Sequence, residues 1–218
     1  VYNLCKATDS SGRIIAAGIT NSPNDYNITG NHGDYDALVL SIDETSGILT
    51  EAKCFGGKKS DNFFSIQNTY DKGYILSGST VSQNGDVSYN ADITNGQLWV
   101  VKLNNSRTID WERTYGGPEY ESGYGAFEIN NGGFFIAGDT YGNGGDVSGY
   151  HGVSQRDYWA VKLSLCFIPP VSAATITTSG PACGSNVTLS IPGGAGYYYH
   201  WYKNNEEIIG ATSPTYMA

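Results

Sequence analysis

Short segments of alternating hydrophobic and polar residues run along most of this chain, and the same segments return at intervals of 60 residues. RIIAAGIT from Arg13 corresponds to GYILSGST from Gly73 and to GFFIAGDT from Gly133. A period of two places every second side chain on the same face of a strand, whereas helices need a period of 3.6. The pattern therefore predicts repeated units of β-structure, aligned at about residues 13, 73 and 133.

Three further segments complete the repeat. DALVLSI from Asp36 corresponds to QLWVVKL from Gln97 and DYWAVKL from Asp157, and ILTEAKCFGG corresponds to TIDWERTYGG. A fourth segment, NFFSIQNT from Asn62, corresponds to SGYGAFEI from Ser122 and is taken as the last strand of its unit. Four-stranded sheets repeated at this period are typical of β-propeller blades, and a parallel β-helix is the alternative.

Composition supports an all-β fold, because 29 Gly, 17 Tyr and a single Met suit turns and aromatic strands better than helices. We predict four-stranded β-propeller blades over residues 1–164. Closed propellers have roughly four to eight blades, so we expect an incomplete propeller whose partners include the remaining blades and domains of the same polypeptide. The aromatic strand residues Trp99, Trp111 and Trp159 are expected to pack in the core.

The charge excludes two classes of partner. The formal net charge is −9 and the isoelectric point is about 4.6, so we expect no binding of nucleic acid or anionic lipid, both of which need clustered Lys and Arg. The sequence contains no apolar run of about 18 residues, so we expect no membrane insertion. The four cysteines and three histidines lack the spacing of a zinc site, and disulfide pairing is left open.

The repeat stops after residue 164, and two prolines mark residues 165–176 as a linker. The segments NVTLSI, YYYHWYKN and IIGATSPTY follow, with Cys183 and Trp201 in order. This region resembles bacterial immunoglobulin-like domains, although Asn205 stands where that family usually has Gly in a turn. The resemblance implies a partial immunoglobulin-like β-sandwich over residues 177–218.

The repeats also resemble a family. GGFFIAGDT, YGNGGDVSGYHG, DYWAVKL and WERTYGG are similar to repeats of large bacterial surface proteins exported by the type IX secretion route. The resemblance covers residues 1 to about 164 and implies an extracellular or cell-surface location. Together with the immunoglobulin-like region, it implies an adhesin-like architecture.

Candidate chemistry is concentrated in one loop of each repeat, which contains NGDVSYNAD in the second and GGDVSGYHG in the third. Oxygen ligands from Asp86, Asp146 and Ser148 suggest calcium as a cofactor. The alternative is that both aspartates bond to turn backbone, with Val87 and Val147 anchoring the loops. His32 and His151 are equivalent, but Ala91 replaces them in the second repeat.

Loop tyrosines are candidates for stacking on sugars, and the candidates are Tyr89, Tyr141 and Tyr150. No catalytic motif accompanies them, since GxSxG, HExxH and phosphate-binding loops are all lacking from the sequence. The acids near strand ends are expected to be solvated surface groups, namely Asp110, Glu112, Glu119 and Glu121.

The sequence therefore predicts a non-enzymatic module that is extracellular or on the cell surface and belongs to a larger secreted protein. Its partner is expected to be an extracellular glycan or protein. One alternative is a carbohydrate-binding or glycan-processing accessory domain. Another is a calcium-stabilised component of a surface layer or filament.

Overall fold

The computed structural model describes residues 1–9, 11–24, 28–90, 94–129, 133–152 and 155–164, and short stretches beyond residue 176. The chain divides into two compact units, Val1–Leu165 and Cys166–Ala218. The described residues form strands and turns without a helix, so the fold is all-β. Within these residues, no helix has the length and apolar character needed to cross a membrane.

The first sheet is an antiparallel meander of four strands with one short addition. Its order is β1–β2–β4–β5–β3, and β3 lies parallel to β5. The strands are β1 (Asn3–Lys6), β2 (Arg13–Thr20), β3 (Ile28–Thr29), β4 (Asp36–Asp43) and β5 (Leu49–Phe55).

The second and third sheets repeat this meander. The second sheet has the order β6–β7–β8–β9 and the third has the order β10–β11–β12, all with antiparallel neighbours. Their strands are β6 (Asp61–Asn68), β7 (Tyr74–Thr80), β8 (Gln97–Leu103), β9 (Ile109–Tyr115), β10 (Glu121–Glu128), β11 (Phe134–Thr140) and β12 (Asp157–Leu163). Across the described strands, no sheet closes on itself into a barrel.

The grouping of strands into sheets differs from the sequence prediction by one strand. The segment NFFSIQNT belongs to β6 and opens the second sheet, instead of completing the preceding unit. A tight hairpin explains the difference, because the Thr69 and Gly73 backbones bond at 3.0 Å and hold β6 against β7. The turn after β5 leads instead to a new sheet.

The first strands of the second and third sheets carry matching β-bulges. Phe64 is the extra residue between Phe63 and Ser65 of β6, and Tyr124 is the extra residue in β10, 60 positions later. Their rings lie 5.1 Å apart. A bulge bends its strand and increases the local twist. The repeat therefore preserves a backbone irregularity as well as a strand pattern.

Adjacent sheets pack face to face. Ile15, Ala17 and Val39 of the first sheet pack in one buried cluster with Leu76 and Trp99 of the second. The opposite face of the second sheet contributes Ile75, Leu98 and Val100 to another cluster, with Phe134 and Ile136 of the third. Each of β7 and β8 is consequently buried at all seven positions. The second sheet is thus covered on both faces.

Tryptophans take the core positions expected from their strands. Trp99 is fully buried and stacks on Phe63, with ring centroids 5.0 Å apart. Trp111 and Trp159 are partly buried against the cluster shared by the second and third sheets. The prediction of core packing is confirmed for Trp99 and holds in part for the other two.

The outward face of the third sheet is exposed. Tyr158 of β12 occupies the position of Leu98 in β8, since each pairs with the residue after the corresponding glycine of the neighbouring strand. Leu98 is 0 % exposed and Tyr158 is 97 % exposed. The difference arises because the third sheet covers Leu98, whereas no described residue covers Tyr158.

Cys5 and Cys54 are free thiols. Burial raises the pKa of each to about 11, so both stay protonated at neutral pH. Cys166 and Cys183 lie outside the described residues.

The second unit contains short antiparallel strands in two small sheets, β13–β14–β17 and β15–β16. These are β13 (Thr177–Ser179), β14 (Thr188–Ser190), β15 (Tyr202–Lys203), β16 (Glu206–Glu207) and β17 (Thr215–Met217). The predicted linker and the family-like positions Trp201 and Asn205 lie outside the described residues. An immunoglobulin-like sandwich therefore stays a prediction.

Burial of one face of the second sheet is testable with a matched pair of variants. We expect Leu98→Ala to lower the free energy of unfolding by about 2–5 kcal/mol, because it leaves a cavity in the shared core. Tyr158→Ala, at the equivalent exposed position, should change it by less than about 0.5 kcal/mol. Urea denaturation of both variants measures these values, and equal losses would contradict the burial of Leu98 between the second and third sheets.

Candidate functional site

The long loops and the double-glycine turns lie at one edge of the sheets, which we call the loop edge. It comprises the described residues of three loops between the middle strands of the sheets, which are 21–24, 28–35, 81–90, 94–96, 141–152 and 155–156, and the turns at residues 56–60 and 116–120. The meander places these connections on the same side, because alternate strands run in opposite directions. Hydrogen bonds connect the loops of this edge to its turns.

A buried carboxylate holds the first double-glycine turn. The Gly57 amide donates to Asp61 Oδ2 at 2.7 Å, Ser82 Oγ donates to the same oxygen at 2.9 Å, and the Thr80 hydroxyl donates to Oδ1. Gly56 has a φ of 138°, and a Cβ there would overlap the Asp61 carboxylate. The turn therefore needs glycine in order to approach the acid.

Glu121 repeats the arrangement at the second turn. It accepts hydrogen bonds from the Gly117 amide at 3.0 Å, Thr140 Oγ1 at 2.8 Å and Gln97 Nε2 at 3.1 Å. Both Asp61 and Glu121 are fully buried, and burial raises the pKa of each carboxyl against the opposing effect of these hydrogen bonds. The expectation that Glu121 is a solvated surface acid is wrong.

Glu112 is also buried. Its carboxylate accepts from Trp99 Nε1 at 3.0 Å, from the Ser88 amide at 3.1 Å and from the Ser88 hydroxyl. These bonds tie the loop after β7 to the centre of the second sheet. The expectation of a solvated surface acid is therefore wrong for Glu112 as well.

One position distinguishes the two turns chemically. Gln97 donates to Glu121 and also to the Gly117 carbonyl, at 2.9 Å. At the equivalent position the first sheet has Asp36, a fully buried carboxylate whose charge contributes to raising the pKa of Asp61. The Asp36 carboxylate accepts from the His32 amide, with 3.1 Å to Oδ2. The first turn thus has two neighbouring acids where the second has an acid and an amide.

The aspartates predicted to bind calcium bond to these same turns. The Gly56 amide donates to Asp86 Oδ2 at 3.1 Å, and the Asp86 amide donates back to the Gly56 carbonyl at 2.8 Å. Asp146 forms the same two bonds with Gly116, at 3.2 and 2.9 Å. Each carboxylate already accepts a hydrogen bond from a turn amide. This bonding to the turn backbone is the alternative to calcium binding.

The rest of the predicted calcium site is more open. Ser148 is exposed, and the preceding Val147 is buried, as is its counterpart Val87. The prediction that these valines anchor their loops is confirmed. In the parts of the chain that the structure describes, no group of three His, Cys, Asp or Glu side chains is arranged to hold a metal ion. Calcium binding stays a prediction.

The three predicted sugar-stacking tyrosines have different surroundings. Tyr89 is exposed on the loop after β7, and its carbonyl accepts from Thr114 Oγ1 at 2.8 Å. The Tyr150 hydroxyl donates to the Gln155 carbonyl at 2.6 Å and so closes its own loop. Tyr141 lines an open cleft. The structure does not bring the three rings together in that cleft.

Among the described residues of the loop edge, the cleft is the candidate site that we consider. It has a volume of about 360 Å³ and is lined by Asn95, Glu119, Tyr120, Tyr141 and Arg156. The rings of Tyr120 and Tyr141 meet edge to face, with centroids 6.2 Å apart and planes at 77°. Volumes from about 300 Å³ upward are typical of small-molecule sites.

Arg156 is fixed at the cleft by neighbouring acceptors. Its Nε donates to Tyr141 Oη at 2.8 Å, and Nη1 donates to Tyr124 Oη at 2.9 Å and to Asp139 Oδ2 at 3.0 Å. Its guanidinium carbon also lies 5.3 Å from the centroid of the Tyr141 ring. A side chain held at three points is pre-organised, so little rotamer entropy remains to be lost on binding a ligand.

Sequence reasoning identified Tyr141 but missed Tyr120 and Arg156. These residues come from the turn after β9 and from the end of the loop before β12, which are far apart in sequence. A position-by-position comparison of the repeats would have marked them, because the equivalent residues are Ser60 and Gly96.

The role of the loop aspartates can be tested with Asp146→Ala. We expect it to lower the free energy of unfolding by about 1 kcal/mol, because the Gly116 amide loses its acceptor. The loss should be the same with added calcium and with a chelator, as measured by chemical denaturation. A wild-type stability that rises with calcium and does so no longer in the variant would support the metal alternative instead.

The buried acid Asp61 should give the stability a distinctive pH dependence. Its folded-state pKa lies above the ordinary value of 3.8, so its contribution is fully present below pH 3.8 and is lost as the pH rises through the higher folded value. In Asp61→Asn, which loses an acceptor and cannot ionise, the deficit in unfolding free energy should be largest in acid and smaller at neutral pH. Denaturation across this range measures the deficit, with Glu119→Gln as an exposed control, and a deficit that grows with pH would contradict the assignment.

Comparison with known proteins leaves the site to be interpreted from its own geometry. The chain matches no protein-family model, and no curated protein is significantly similar to it.

Proposed function

We propose that this chain is a non-enzymatic binding and structural module, extracellular or on the cell surface, within a larger secreted protein. Its repeated sheets would be blades of an incomplete propeller, and residues 177–218 a partial immunoglobulin-like domain acting as a spacer. The observation that carries the proposal is the use of the buried acids at the loop edge. Asp61 and Glu121 both accept bonds from the turns that join adjacent sheets.

The placement of carboxylates favours binding over catalysis. Glycoside hydrolysis generally uses two carboxyl groups on either side of the scissile bond. Of the described residues that line the cleft, Glu119 is the one carboxylate, whereas Glu112 and Glu121 are bonded within the fold. The cleft offers aromatic rings and hydrogen-bonding groups, which suit recognition of a ligand.

The extracellular location rests on the likeness of the repeats to surface proteins of the type IX secretion route. The net charge of −9 agrees with a partner other than nucleic acid or anionic lipid. An adhesin-like role, with an extracellular glycan or protein as partner, follows from this reasoning.

Two alternatives remain. A carbohydrate-binding or glycan-processing accessory domain is favoured by the rings of Tyr120 and Tyr141 in the cleft. A calcium-stabilised component of a surface layer or filament would need Asp86 or Asp146 to exchange a turn amide for a metal ion. The first alternative has an open site to support it, and the second has none among the described residues.

The absence of catalysis is directly testable. We expect the full chain to release no new reducing ends from polysaccharides or oligosaccharides, because the described residues that line the cleft include a single carboxylate. Chromatography of long incubations measures any products. Hydrolysis that disappears in Glu119→Gln would overturn the proposal, and Glu128→Gln, an acid on the opposite edge of the third sheet, provides the control.

A further inference from the structure

The turns that follow the first and second sheets have the same backbone geometry. The Val81 amide donates to the Ser60 carbonyl at 3.1 Å, and the Tyr141 amide donates to the Tyr120 carbonyl at the same distance. Gly96 and Arg156 are equivalent as well, since each precedes the residue that pairs with Thr80 or Thr140. The backbone positions around the cleft therefore correspond to positions in the preceding junction.

The side chains at the two junctions are entirely different. Where the cleft has Glu119, Tyr120, Tyr141 and Arg156, the preceding junction has Lys59, Ser60, Val81 and Gly96. The same turn and loop therefore form with either set of side chains. The two tyrosines and the arginine are thus not required for the backbone hydrogen bond that the two junctions share. They also bond within the fold, Tyr120 to Ser79 and Ser122, and Arg156 to Tyr141, Tyr124 and Asp139. Their part in a ligand site is inferred from the cleft that they line.

The chemistry of the cleft suits a sugar. Tyr120 and Tyr141 line the cleft and are only partly buried, so apolar ring carbons are available there to the C–H face of a pyranose. Around them, the exposed carboxylate of Glu119 accepts hydrogen bonds and the Arg156 guanidinium donates them. Adjacent sugar hydroxyls both donate and accept, so they match an acceptor and a donor placed on either side of a ring.

The charge of the cleft favours a neutral ligand over an acidic one. Arg156 is paired with Asp139 at 3.0 Å, and Glu119 contributes a further negative charge. The whole chain has a net charge of −9, which repels uronic acids and sulfated sugars. A cationic ligand would be repelled by the Arg156 guanidinium.

We propose that the cleft between Glu119, Tyr120, Tyr141 and Arg156 binds a neutral oligosaccharide. The inference rests on the proposed binding function and names its site and the class of its ligand. Tyr120 and Tyr141 stack on the sugar, while Glu119 and Arg156 bond to its hydroxyls. Asn95 borders the cleft beside Pro118, to whose carbonyl its amide donates at 2.9 Å.

The first experiment measures binding by the full chain. The probes are hexasaccharides of cellulose, xylan, mannan, laminarin and chitin, with oligogalacturonate and oligoalginate as acidic comparisons, titrated by calorimetry. At least one neutral hexasaccharide should bind, and more tightly than either acidic one. No binding to any neutral probe, or tighter binding of an acidic probe, would overturn the inference.

The second experiment replaces cleft residues by those of the preceding junction. Tyr141→Val and Tyr120→Ser should each weaken binding about tenfold, as expected when one stacking ring is lost. Glu119→Lys, at an exposed position, should weaken binding without loss of stability and decides the matter if a tyrosine variant fails to fold. Tyr70→Val, at an exposed tyrosine on the opposite edge of the second sheet, should bind as the wild type does.

The outcomes separate the site from the function. If a neutral hexasaccharide binds but Tyr141→Val and Glu119→Lys bind it unchanged, the cleft assignment is wrong and the proposed binding function stands. If the probe is shortened during the titration and the cleft variants abolish this, the site stands and the non-enzymatic function is wrong. Melting midpoints of all variants establish that they are folded.

Discussion

Burial of both apolar faces of the second sheet is the constraint on which this fold depends. A sheet that is apolar on both sides needs a neighbour on each, and in this chain the neighbours are other copies of the same meander. The second sheet shows the result, because Leu76 and Trp99 face one neighbour while Ile75 and Leu98 face the other. The sequence repeats every 60 residues because each copy of the meander supplies a sheet that covers its neighbour.

Face-to-face packing alone does not fix the position of one sheet relative to the next. Polar groups at the loop edge fix it. Asp61 and Glu121 are buried with their hydrogen bonds satisfied by turn amides and hydroxyls. A buried acid is costly unless its oxygens are bonded, so such a group stabilises one arrangement of the turn over others. Gly56 and Gly116 allow the turn backbone to approach these carboxylates, because a Cβ at either position would overlap the acid.

Much of the fold could be predicted from sequence because its signals are local and repeated. Alternation gave the strands, and the prediction that Val87 and Val147 are buried in their loops is confirmed. The assignment of NFFSIQNT to a sheet was wrong, because pairing depends on which connection is a tight hairpin and which crosses between sheets. The period does not encode that choice.

The site was harder to predict because it is assembled from separate segments. Tyr120 follows one sheet, and Tyr141 and Arg156 belong to the loop of the next. Composition also misled, since an acidic chain suggests that each acid is solvated, yet Glu112 and Glu121 are buried. Their role depends on a turn amide and an indole that no spacing rule places beside them.

The exposed outer side of the third sheet has a consequence for how the first unit opens. Stability in a stacked array is approximately a sum of contributions from each sheet and from each junction between neighbours. Among the described strands, the first and third sheets each share one junction, whereas the second sheet shares two. β12, where alternate residues face solvent, should therefore fray more readily than β8, and its amide protons should exchange with solvent faster. The cleft, with Arg156 next to β12, lies beside this strand, so a bound ligand would slow its fraying.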